Sequence, residues 1–143
     1  TIGGNAGKPA PIRYTIDLGA SSKLSRYKVY QRLDYEYRHY SPKKWKIYGT
    51  DHIDPANMTL DYFDGDNYHK DWVLMGEFEI IKPSGIGDQI TNEDKEVALA
   101  GHEFVFDLGL PPVRYLRFEQ YETWSGGLEV NYREITFWGS DKK

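Results

Sequence analysis

The sequence predicts an all-β chain, an antiparallel β-sandwich or jelly roll, and three observations predict it. Apolar residues recur with period two in many short runs, clusters of Gly, Pro, Ser and Asp separate those runs, and no segment keeps a helical period for about ten residues. At 143 residues the chain has the size of one domain, long enough to bury roughly 70% of its unfolded surface. The 22 aromatic rings (four Trp, twelve Tyr, six Phe) argue against disorder.

Residues 1–12, rich in Gly, Ala and Pro, read as a flexible lead-in at the cut edge of a larger protein, and residues 13–140 as a single sandwich domain. From Arg13 the alternation begins, with Tyr14, Ile16 and Leu18 on the inner side and Arg13, Thr15 and Asp17 on the outer. Gly19-Ala20-Ser21-Ser22 predicts a turn, after which Tyr27, Val29 and Leu33 resume the pattern. Trp45 and Ile47 mark the next strand, and Trp72, Leu74, Phe78 and Ile80 another, with Gly76 marking a bulge inside it. Then come Phe104, Phe106 and Leu108, Leu116 and Phe118, and finally Ile135 and Phe137. Asp54–Leu60 and Thr91–Lys95 each have the composition for about a turn of helix. Ile16-Asp17-Leu18-Gly19 is echoed by Phe106-Asp107-Leu108-Gly109, the same hairpin-like chemistry used twice.

Charge and composition exclude several function classes. Eighteen basic against 22 acidic residues give a net charge of −4, without the footprint of a nucleic-acid binder. The absence of cysteine removes disulfides, thiolate zinc sites and cysteine nucleophiles together. No apolar run is long enough to span a membrane. The sequence holds no Gly-x-Ser-x-Gly elbow, phosphate-binding loop or His-Glu-x-x-His, and Gly85-Ile86-Gly87 lacks the third glycine of a dinucleotide site. His39, His52, His69 and His102 are too widely spaced to form a local metal pair. Asp61, Asp64 and Asp66 fail the calcium-loop register, because counting from Asp64 places His69 where glycine is needed and Met75 where the closing glutamate is needed.

What remains is aromatic loop chemistry. Arg32 to Trp45 gathers Arg32, Tyr35, Tyr37, His39 and Tyr40 in a stretch that loses clean alternation. A tyrosine presents a flat apolar face and a hydroxyl, which suit the C–H face and hydroxyl rim of a sugar and also suit protein contacts. Trp124 stands just before the Ser125-Gly126-Gly127 turn, the position of a loop-tip platform. Trp45 and Trp72 fall within strand patterns and are predicted in the core, whereas Trp138 lies opposite the Ile135 and Phe137 face.

Five segments in order carry a family resemblance: Tyr14–Gly19, Tyr27–Arg32, Trp45–Asp51, Arg114–Phe118 and Arg133–Gly139. With them the chain resembles the discoidin family, the coagulation-factor C-type or galactose-binding-like domains, in the variant found in surface proteins of glycan-using gut bacteria. The resemblance implies a galactose-binding-like sandwich whose loops at one end bind carbohydrate, with Trp124 as the stacking residue and Arg32, Tyr35, Tyr37 and His39 as further ligand contacts. It also implies a structural calcium held through Glu134, although this chain lacks the family's first strand and Asp-Gly loop ahead of the Asp-Leu-Gly strand. An extracellular or outer-surface location, and other domains of the same parent protein as partners, follow from the resemblance. The expected function is a non-catalytic carbohydrate-binding module, with a protein-interaction or scaffolding module on the same loops as the alternative.

Overall fold

The computed structural model describes residues 2–4, 12–38, 40–52, 72–126 and 130–140. His39, His69, the Asp61–Asp66 cluster and the helical turn expected at 54–60 lie outside the described residues. The elements are β1 (Ile2–Gly4), β2 (Ile12–Tyr30), β3 (Pro42–Thr50), β4 (Val73–Glu79), α1 (Asn92–Ala100), β5 (His102–Val105), β6 (Val113–Thr123) and β7 (Glu134–Ser140). Every strand pairing among the described residues is antiparallel.

Two sheets form because β2 serves both. Its first half, Ile12 to Asp17, pairs with β6 and β1 in a sheet ordered β1-β2-β6-β3-β4. Its second half, Lys23 to Tyr30, pairs with β5 and β7. The turn expected at Gly19–Ser22 is therefore a bend inside one long strand, where the β2–β6 register breaks between Asp17 and Ser22. Gly19 supplies the left-handed backbone there (φ 85°), and its N–H donates to Asp17 Oδ1 at 2.8 Å. The sequence echo is realised in kind, since Gly109 N–H donates to Asp107 Oδ1 at 2.8 Å. Arg114 grips the Asp17 carboxylate with Nε at 2.8 Å and Nη2 at 3.1 Å, and this pairing, with the Gly19 amide, lowers the Asp17 pKa to about 2.

Aromatic rings fill the space between the sheets. Tyr27 stacks on Phe104, Phe106 and Phe137 at 5.3, 5.1 and 5.7 Å, meets Phe78 edge-on, and accepts the Trp45 Nε1–H at 3.1 Å. Trp45, Ile47, Leu116 and Phe118 face it from the other sheet, fully buried. Each such side chain is worth about 1.5–3 kcal/mol of burial, and an indole hydrogen-bonded to a phenol leaves no polar atom orphaned at the centre.

Several expectations are corrected. Ile2–Gly4, inside the stretch read as lead-in, forms β1 against Tyr14–Ile16, so a strand does precede the Asp-Leu-Gly segment. Leu33 and Leu108 lie beyond strand ends and are exposed rather than core-facing. Leu74 is exposed and Met75 buried, because the bulge at Gly76 shifts the alternation by one residue. Trp72 is buried, as its place in the strand pattern predicts, with the Arg117 guanidinium 4.9 Å from its ring. The expected turn at Thr91–Lys95 is a full α1, started by Thr91, whose hydroxyl accepts Asp94 N–H while the Asp94 carboxylate accepts Thr91 N–H.

Candidate functional site

The loops divide between the two ends of the sandwich. Gly19–Ser22, Thr50 and Val113 cluster at one end, where Ile2 pairs with Ile16 and Ser140 with Lys23. At the opposite end lie residues 31–38 and 40–41 between β2 and β3, residues 124–126 after β6, and residues 130–133 before β7. Backbone hydrogen bonds tie these together: Trp124 N–H donates to Ser41 at 3.0 Å, Asn131 N–H to Tyr40 at 3.0 Å and Arg133 N–H to Tyr30 at 2.8 Å. Tyr40 N–H donates to Ser125 Oγ at 2.7 Å.

Residues 31–38 and 40–41 are held by tight turns. Tyr35, Arg38 and Ser41 each donate a backbone N–H to the carbonyl three residues earlier, at 3.1–3.3 Å. Asp34, Tyr37 and Tyr40 all adopt positive φ, at 68°, 58° and 62°. Left-handed backbone at a non-glycine residue costs roughly 1–2 kcal/mol each, so the loop holds this shape only because side chains brace it. Glu36 Oε1 accepts Asp34 N–H at 3.0 Å, Arg38 Nη2 donates to the Asp34 carbonyl at 2.8 Å, and Ser41 Oγ donates to the Tyr35 carbonyl at 2.9 Å. Strain of this kind, over-determined by its surroundings, is concentrated at functional sites.

A buried brace stands behind the loop. Tyr37 N–H donates to Gln31 Oε1 at 2.7 Å, which turns the Gln31 amide nitrogen toward His102 Nε2 at 2.8 Å. His102 is therefore a neutral acceptor with its proton on Nδ1, and burial holds its pKa down at about 4. The Tyr37 hydroxyl donates to the Asp94 carbonyl in α1 at 3.0 Å. Burial, then the negative Asp94 and Glu36, push the Tyr37 pKa up and keep it a neutral donor.

The predicted site residues separate on this geometry. Trp124 is half-buried, its ring edge-on to Tyr37 at 5.5 Å and with Lys43 Nζ 4.8 Å from its centroid. Among the described residues its buried Nε1 finds no hydrogen-bond partner. Arg32 is exposed, its guanidinium 4.6 Å from the half-buried Tyr35 ring. Tyr37, only 5% exposed, is corrected from a direct contact to a support, because its ring and hydroxyl are both engaged in the interior. His39 lies outside the described residues. Glu134 is exposed at the start of β7 opposite Tyr30, and no group of three or more His, Asp or Glu that could hold a metal occurs among the described residues.

Sequence reasoning missed Lys43, Ser41, Ser125 and the Gln31–His102 pair. Only the long-range pairing of β3 with β6, Pro42 opposite Thr123, brings Lys43 onto Trp124. A cleft of about 420 Å³ at the other end is lined by Ser21, Thr50, Asp51, His52, Pro111 and Pro112, and none of the sequence-predicted site residues stands there.

Fold and loop end together define an all-β sandwich module that gathers aromatic rings and cations on braced loops at one end. The chain belongs to the DUF5000 family, described as a domain of unknown function, whose sequence profile matches residues 2–139. Among solved structures it is similar to the SusE-like protein BT2857, with 31% identity and a TM-score of 0.80, over 95% of this chain and 73% of that one. It also shares its fold with a fragment assigned to a chitobiase of Bacteroides thetaiotaomicron, with 16% identity and a TM-score of 0.57, over 93% of this chain and 63% of that one. No curated protein matches the chain. No helix among the described residues is long and apolar enough to cross a membrane.

Proposed function

We propose that this domain is a non-catalytic carbohydrate-binding module of a bacterial surface protein that takes part in glycan utilisation, related in architecture to discoidin-type sandwiches. The observation that carries the reading is the placement of Trp124, held half-exposed on a rigid loop end by Tyr37 behind it and Lys43 beside it. An indole fixed in this way offers a sugar ring an apolar face without ordering cost at the moment of binding. Arg32, with Tyr35, adds planar donors for hydroxyl groups. The likeness to a SusE-like protein supports the surface setting. Aromatic stacking of roughly 0.5–1.5 kcal/mol beyond area burial, together with a few hydrogen bonds, gives affinities from about micromolar to millimolar. A glycan array probed with the intact domain tests this, and a reproducible hit that is lost in Trp124→Ala and retained in Trp138→Ala is the expected outcome. Binding unchanged in Trp124→Ala rejects the site.

A second reading, a protein-interaction module on the same end, is favoured by one observation. Ile86 stands 94% exposed between Gly85 and Gly87, on a turn fixed by Lys82 Nζ donating to Gly87 at 2.8 Å and by the Asp94 carboxylate accepting Ser84 N–H at 2.9 Å. A clean negative on the array, with a partner protein whose capture is lost in Ile86→Ser, would favour that reading.

A further inference from the structure

Cations lie over aromatic rings at several places in this domain, and their partners differ by location. Away from the loop end three stacked cations also have a carboxylate, while the buried Arg117 over Trp72 donates Nε to Thr15 Oγ1. Arg26 lies on Trp138 and pairs with Glu103, Arg114 lies on Tyr115 and pairs with Asp17, and Lys46 lies on Tyr121 and pairs with Glu77. At the loop end Arg32 lies on Tyr35, Lys43 on Trp124 and Arg133 on Tyr30; among the described residues none of the three has a carboxylate partner, and Arg133 spends Nη2 on the Leu99 carbonyl. Arg38, exposed in the same loop, spends Nη2 on a backbone carbonyl. This occurs in a chain with four more acids than bases, 22 against 18.

The acids of that loop do not supply the missing partner. Glu36 is buried and turned toward the Asp34 amide, and Asp34 forms no ion pair with Arg32, Arg38 or Lys43. The neighbouring Lys44 is different, because the register sets it between Glu79 and Glu122. A guanidinium lying flat on a ring keeps its N–H edges free for bidentate contact with an oxyanion, and its weak hydration makes that contact inexpensive. Lys43 adds a point charge at the stacking residue itself.

We infer that the loop end recognises an acidic glycan, a sugar bearing a carboxylate or a sulfate, whose oxyanion pairs with Arg32 and Lys43 while its ring packs on Trp124. This rests on the carbohydrate reading above and names the ligand class within it. A charge-assisted hydrogen bond of this kind makes a difference of about tenfold or more in affinity.

The test is calorimetric titration of the intact domain with matched pairs: polygalacturonate against its fully methyl-esterified form for carboxylate, and carrageenan against its desulfated form for sulfate. The expected result is at least one charged member binding about tenfold or more tighter than its neutral partner. That preference is lost in Arg32→Gln and Lys43→Gln, whose melting temperatures match the parent, and kept in Lys44→Gln. The pair that shows the preference identifies the source of the oxyanion. Neutral forms binding as well as charged ones would overturn the acidic-ligand inference and leave the carbohydrate reading standing. Equal loss in Lys44→Gln would overturn it as diffuse charge attraction, and no binding to any glycan, here or on the array, would overturn both.

Discussion

Protonating His102 should unfasten the brace behind the loop, and the cost can be worked from its pKa. The imidazole titrates near 6.5 when exposed and at about 4 in the fold, where burial disfavours the charged form. Between those values the unfolded chain binds a proton that the folded chain refuses, so stability rises with pH across this window and is lost as pH falls through it. Two and a half pKa units correspond to about 3 kcal/mol, or roughly 10 °C in Tm for a domain of this size. Carboxylates also titrate below pH 5, so the informative quantity is a difference between proteins. Urea denaturation of the parent and of His102→Gln, from pH 4 to 7.5, should give a steeper pH dependence in the parent. The glutamine still accepts from Gln31 but cannot be protonated. Parallel curves, or an NMR titration placing His102 near 6.5, would refute the burial and the neutral acceptor role together.

Three further substitutions test the packing. Tyr27→Phe leaves the buried Trp45 Nε1–H without an acceptor, and urea denaturation should show a loss of about 1–3 kcal/mol. Gly76→Ala places a Cβ 2.7 Å from the Phe78 ring at φ 155°, so the bulge must shift, with a loss of about 1–3 kcal/mol measurable as a lower Tm. Thr91→Ala removes the hydroxyl that caps α1 and should cost about 1 kcal/mol by the same assay.

The strand-borne part of the fold was legible in the sequence because burial and period coincide there. Tyr27, Val29, Trp45, Ile47, Leu116 and Phe118 all alternate cleanly and all face the core. The Gly76 bulge was legible for a related reason, since a glycine inside a strand brings no side chain to pack and marks a bulge or a close approach of backbone. The division of β2 between two sheets was not. Gly19 marks a change of direction, but whether the chain stops or bends depends on the partners β6, β5 and β7, which lie far off in sequence. The Thr91–Asp94 capping box was present in the letters, yet only about a turn was expected, because a short helix with two buried side chains shows no apolar stripe.

The candidate site was legible by type and not by orientation. Aromatic residues in loops pointed to Trp124 and to 32–40, and the backbone hydrogen bonds from Trp124 to Ser41 and from Asn131 to Tyr40 bring those loops to one end. Which rings face outward was decided by backbone strain and long-range packing. A positive φ at Tyr37 turns its ring inward under Trp124, while Arg32 and Tyr35 remain at the surface. No spacing rule anticipates three left-handed non-glycine residues within one loop.

The central claim is that Trp124 and the braced loop beside it bind carbohydrate, and isothermal titration of the parent and of Trp124→Ala with the array's strongest glycan tests it most directly. Loss of the apolar platform should weaken binding by about tenfold or more, and a cooperative thermal transition, lowered by the lost packing of the ring on the edge of the core, shows that the variant is folded. A Kd unchanged in the folded variant would contradict the claim.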